Sequence, residues 1–153
     1  MADIVEDFED SNYAFPINFG ASGKTWFRST TESQSGNYSL QAPNTSGINN
    51  QDFTCTITIP PGATSVRLWG MTDCETADNL MVFVGSSSSS SFTRSGFTPW
   101  AQSPAIDVTG QTQLRIVYRK DVSQDAGRNL VWVDNIVFTI PTKVNGWGPV
   151  PLF

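Results

Sequence analysis

Apolar and polar residues alternate along most of this chain, and helical spacing is nearly absent. The clearest run is Phe53-Thr54-Cys55-Thr56-Ile57-Thr58-Ile59, in which every second side chain is apolar and the threonines face the other way. Pro60-Pro61-Gly62-Ala63 ends it, because proline cannot donate to a ladder and glycine suits a turn. Val66 and Leu68 continue the same inward pattern, as do Leu114, Ile116 and Tyr118. Strands are predicted over Ile4–Glu9, Lys24–Ser29, Tyr38–Ala42, Asp52–Ile59, Ser65–Met71, Leu80–Val84, Ala105–Val108, Gln113–Arg119 and Leu130–Ile140. Short strands with a turn signal every several to a dozen residues indicate an antiparallel β-sandwich or jelly roll.

The first and last predicted strands are apolar runs punctuated by acids. A sandwich that pairs them brings Glu9 and Asp134 close together. Two half-buried carboxylates repel and lose hydration, so the pairing needs a compensating charge. A bound Ca²⁺, which accepts six to eight oxygen ligands, is the simplest one.

At 153 residues the chain is read as one domain, residues 1–140, followed by a C-terminal arm, residues 141–153. A domain of this size buries roughly two-thirds of its unfolded surface and needs no disulfide staple. Net charge is −5, so no basic stripe exists to neutralise nucleic-acid phosphates or to meet an anionic membrane. The absence of histidine removes the commonest general base, Ser-His and Cys-His pairs, and His-ligated zinc. Cys55 reads as a buried thiol, with pairing to Cys74 left open. The start Met1-Ala2-Asp3 lacks signal-peptide character and no apolar run is long enough for a membrane span, which implies synthesis in a cytoplasm.

The run Ser86 to Ser91 has no apolar side chain to bury and reads as a mobile loop between strands. The arm contains three prolines and two glycines, excluding helix or inner strand, yet it carries Trp147, Leu152 and Phe153. Extended, it reaches on the order of 40 Å. It reads either as a strap over its own sandwich or as an arm docking into a neighbouring subunit through those anchors.

Phe8-Glu9, Trp26, Ser35-Gly36-Asn37-Tyr38-Ser39-Leu40, Asp78-Asn79-Leu80, Tyr118-Arg119-Lys120-Asp121 and Trp132-Val133-Asp134-Asn135-Ile136 occur in this order. The set resembles jelly-roll modules related to MAM domains and carbohydrate-binding modules, most of all those in minor tail or capsid-surface proteins of actinobacterial tailed phages. It spans residues 3 to 139. The resemblance implies a structural Ca²⁺ held by Glu9, Asp134, backbone oxygen near Ser35 or Gly36, and Asp10 as a further ligand. It also implies a non-enzymatic bacteriophage virion protein, a capsid decoration or minor tail protein. Such a protein would contact other virion proteins and copies of itself, and would localise to the virion.

The alternative is a carbohydrate-binding module contacting cell-surface glycans. Aromatic faces suit sugars, being apolar bodies with polar edges. Trp69 alternates out of phase with Val66 and Leu68 and so points outward, and Trp100 follows Pro99 in a predicted loop; these two are the candidate platform. The acidic loop Asp73 to Asp78 reads as solvated, with no sign of catalytic carboxylates. Arg94, Arg115, Arg119, Lys120 and Arg128 read as ordinary surface charge. Nothing in the chain calls for an enzyme.

Overall fold

The computed structural model describes residues 2–44, 50–121 and 126–141. All regular structure among them is β-strand: β1 (Ala2–Glu6), β2 (Ile17–Asn18), β3 (Phe27–Ser29), β4 (Ser39–Gln41), β5 (Gln51–Thr58), β6 (Ser65–Asp73), β7 (Asn79–Val84), β8 (Phe92–Ser95), β9 (Phe97–Gln102), β10 (Ile106–Asp107), β11 (Gln113–Lys120) and β12 (Leu130–Ile140). Among the described residues no helix is long and apolar enough to cross a membrane.

Two antiparallel sheets form the sandwich. The smaller runs β2-β5-β11-β7-β8. The larger runs β10-β6-β12-β4-β3, with β1 also on β12 and β9 also on β6. The long strand β12 is the spine: its first half pairs with β4 and its second half with β1, while β6 takes the opposite edge. The predicted meeting of the ends is therefore observed, with Ile4 opposite Phe138 and Glu6 opposite Ile136.

Alternation explains the core. Phe53, Cys55 and Ile57 of β5, Leu114, Ile116 and Tyr118 of β11, and Val66 and Leu68 of β6 all enter one buried cluster. Gly70 continues the β6 inner face because the sheets nearly touch there: a Cβ would lie 2.9 Å from Leu80 Cδ2 and 3.2 Å from the Phe92 ring. Trp26 is buried with its indole N–H donated to the Phe53 carbonyl at 3.0 Å. Cys55 and Cys74 are both buried free thiols. Burial raises their pKa values, to about 12 and about 11 respectively, which keeps both as inert thiols.

Several expectations are corrected. The first strand stops at Glu6 because Phe8 takes a left-handed conformation (φ 61°), and Glu6 turns inward to accept the N–H groups of Phe8 and Ala14 at 2.7 and 2.6 Å. Strands β2, β8 and β9 were not expected, and the predicted loop around Trp100 is strand β9. The serine run is, as expected, a loop between strands, here β7 and β8; Ser87 N–H donates to the Val84 carbonyl and Ser91 N–H to that of Val82, at 3.1 and 2.7 Å. Lys120 is not surface charge. It is buried beside Asp78, Nζ to Oδ2 2.8 Å, so the far end of the acidic loop is buried too.

Candidate functional site

The face of the larger sheet that points away from the core carries an aromatic surface. On β6 the residues between Val66, Leu68 and Gly70 are Arg67, Trp69 and Met71, which face outward. Directly opposed residues in antiparallel strands share a face, so register identifies their neighbours. Trp69 lies between Gln102 of β9 and Asp134 of β12. One row further, Met71 opposes Trp132, Trp132 opposes Gln41, and Gln41 opposes Phe27. Trp100 completes this row at the β9 end, packed on the cluster of Met71, Leu130 and Trp132. The row crosses five strands (β9, β6, β12, β4 and β3), about 19 Å at roughly 4.8 Å per strand.

Its parts are differently accessible. Trp132 is fully buried: its indole N–H donates to Gln41 Oε1 at 3.0 Å and the Arg128 guanidinium covers its ring at 4.6 Å. Gln41 Oε1 also accepts from Ser29 Oγ at 2.7 Å, which locks the amide orientation. Trp69 and Trp100 are half-buried, whereas Phe27 and Phe97 are 44% and 71% exposed. Trp100 Nε1 is buried with no acceptor among the described residues. Arg128 forms a charged rim, bonded to Asp73 at 2.7 Å and Glu32 at 3.0 Å, so its charge is already answered.

Trp100 reaches this face through a bulge. Between the pairs Gly70–Ala101 and Thr72–Thr98, Met71 faces two residues, Pro99 and Trp100. Proline is tolerated there because β9 is an edge strand.

Beside the aromatic surface, two carboxylates hold one loop. Asp134 Oδ2 accepts the N–H groups of Gln34 and Ser35 at 2.9 and 3.4 Å, and Oδ1 accepts Asn135 N–H at 2.8 Å. Glu9 accepts Asn37 N–H at 2.8 Å and Tyr38 N–H at 2.9 Å. Asn135 adds side-chain bonds to Gln34 and Ser35. Gly36 stands at the centre with φ 65°, and a Cβ there would fall 2.5 Å from the Glu9 carboxylate carbon. Burial pushes the Asp134 pKa up to about 6, the amide bonds pull it down, and the Glu9 charge adds the smallest upward push. For Asp134, desolvation outweighs the expected repulsion from Glu9.

Of the four residues expected at a cation, Glu9, Gly36 and Asp134 converge on this loop. Asp10 does not join them: its carboxylate is exposed and accepts Asn12 N–H at 2.8 Å in its own turn. The oxygens that remain already accept backbone N–H groups of the loop, and the Glu9 carboxylate itself fills the space that a Cβ at Gly36 would take. Glu75, Asp78 and Asp121 form a second acidic group, with ligand atoms within 4.8 Å of one another. There the Lys120 ammonium already supplies the positive charge. Trp147, Leu152 and Phe153, the expected docking anchors, lie outside the described residues.

Sequence reasoning considered Trp69, Phe92, Phe97 and Trp100 as exposed aromatics and singled out Trp69 and Trp100, but did not point to Phe27, Met71, Trp132 or Arg128 on this face. The signal was weak in each case. Leu130 to Val133 is apolar throughout, so no alternation separates Leu130 and Trp132, which face outward, from Val131 and Val133, which face the core.

No family model and no curated protein matches the chain. Solved structures do. A cleaved adhesin domain of Lys-gingipain superposes with a TM-score of 0.67 at 14% identity, over 92% of this chain and 99% of that one. A xylan-binding domain from carbohydrate-binding module family 22 gives 0.54 at 14%, over 92% and 95%. A family 11 carbohydrate-binding module from Clostridium thermocellum, in complex with a β-1,3-1,4-mixed-linked tetrasaccharide, gives 0.51 at 8%, over 90% and 95%. At these identities the likeness is one of fold: the chain has the antiparallel β-sandwich of adhesin and carbohydrate-binding domains. Nothing in these comparisons bears on the expected phage virion role or on MAM domains.

Proposed function

We propose that this protein is a non-catalytic glycan-binding module that receives a neutral oligosaccharide chain on the outer face of its larger sheet. The observation that carries the reading is the cross-strand aromatic row, with Trp100 half-open on the Met71–Trp132 floor and Trp69 half-open one row away. Aromatic faces match the C–H faces of pyranoses, while Gln102, Asp73 and Arg128 at the edges offer partners for hydroxyls. A neutral ligand is favoured because Arg128 is already paired and the chain is acidic overall. The fold shared with xylan- and mixed-linkage-glucan-binding domains supports the same class. A structural Ca²⁺ at Glu9, Asp134 and the Gly36 loop is part of the proposal; it would brace the loop beside the face by neutralising the two carboxylates.

Calorimetric titration with soluble xylan and β-1,3-1,4-glucan oligosaccharides, backed by a glycan array, tests this. Wild type is expected to bind at least one neutral β-glycan, and Trp69→Ala and Trp100→Ala each to weaken it at least ~10-fold with Tm nearly unchanged. Absence of binding to every neutral glycan on the array rejects the reading.

A further inference from the structure

The buried polar group between β11 and β12 is chemically unusual. Lys120 Nζ, fully enclosed, lies 2.8 Å from Asp78 Oδ2 and 3.3 Å from Asn129 Oδ1. All three residues are buried, Asp78 completely, and Asn129 is held in a left-handed conformation (φ 55°). The Asn129 amide orientation is set by donors: Ala126 N–H reaches Oδ1 at 3.2 Å and Lys120 approaches the same oxygen. Asp78 Oδ1 is fixed in turn by Asp121 N–H at 3.0 Å. A lysine ammonium, the amide oxygen it donates to, a backbone N–H on that same oxygen and a carboxylate able to relay a proton are thus assembled where water is excluded. Preorganisation of this kind turns a slow bimolecular condensation into an intramolecular one.

We propose that Lys120 and Asn129 join in a spontaneous isopeptide bond, with Asp78 as the proton-transfer catalyst. Asp78 takes a proton from the Lys120 ammonium along their hydrogen bond, and the freed lone pair attacks Asn129 Cγ. The oxygen that gains negative charge, Oδ1, is held by Ala126 N–H. Asp78 then passes its proton to the departing amide nitrogen as the C–N bond of the carboxamide breaks. The new Nζ–Cγ bond remains, the second ammonium proton leaves with the nitrogen, and ammonium is the only by-product; no oxidant or cofactor is needed. The bond would fix the base of the segment carrying Arg128, the residue that covers Trp132 on the outer face. It does not depend on the glycan reading.

The test is the intact mass of the full chain, denatured after purification, followed by tryptic mapping. The expected chain is lighter than its sequence by one ammonia, and the fragments beginning at Lys120 and Asn129 travel as one branched species. Lys120→Arg, which keeps the charge but offers no attacking amine, restores the full mass, as does Asp78→Asn. A wild-type chain of full sequence mass with separate fragments overturns the proposal. So does an ammonia loss that persists in Lys120→Arg, which would place it at a succinimide elsewhere.

Discussion

Asp134 shows how one residue carries opposing demands. It is fully buried, accepts three backbone N–H groups, and still has its pKa raised to about 6 because burial outweighs those bonds. A native-state pKa above the unfolded value of 3.8 means the folded state holds the proton more tightly. The stabilisation is then complete below pH 3.8 and is lost as pH rises through about 6. In chelator, Tm is expected to decline across this window, and Asp134→Asn to flatten the decline whatever it does to Tm itself. Glu6, also raised by burial, leaves a residual slope of the same sign. An unchanged slope in Asp134→Asn, followed by calorimetry from pH 4 to pH 7, would contradict this account. Asp134 was legible in the sequence as a half-buried acid in an apolar strand, but its complete burial was not, because that depends on the loop that closes over it.

Among the elements, the loop around Gly36 and the edge strand β9 decide what the sheet displays. The loop is held at both sides by carboxylates, and Gly36 is squeezed against one of them. Gly36→Ala combines a positive φ with a 2.5 Å contact to Glu9. A left-handed alanine costs about 1–2 kcal/mol, or about 2–8 °C in Tm for a domain of this size. Gly110→Ala is the control: its φ is +74° but nothing lies within 4 Å of the added methyl. Thermal melts should place Gly36→Ala below Gly110→Ala; equal values would mean the carboxylate contact carries no cost. Strand β9 was hidden by Pro99, which reads as a loop residue in isolation. Only its edge position and the bulge opposite Met71 make a strand there acceptable.

For the whole molecule, the meeting of β1 with β12 brings Glu9 and Asp134, distant in sequence, onto one loop. The proposed Ca²⁺ ion, if bound there, would stabilise the native state alone. At a hundred times Kd that amounts to about 2.7 kcal/mol. Chelation is therefore expected to lower Tm by about 5–11 °C. Glu9→Gln should abolish most of the calcium response; a melt indifferent to both calcium and chelator would remove the ion from the proposal.

Period-two alternation and turn residues were enough to define the strand-only sandwich and most of its inner face, because burying one face of a strand imposes that pattern directly. The outer face followed different rules. Lys120 looked like surface charge and is buried, while Trp132 sits in an unbroken apolar run yet faces away from the core. Which apolar side chains cluster on the open face, and which charges find a buried partner, depends on register between strands far apart in the chain. The sequence alone therefore determined the class of fold, through local spacing. The tertiary structure decided the site, because the aromatic row and the Lys120 cluster exist only once the strands are aligned side by side.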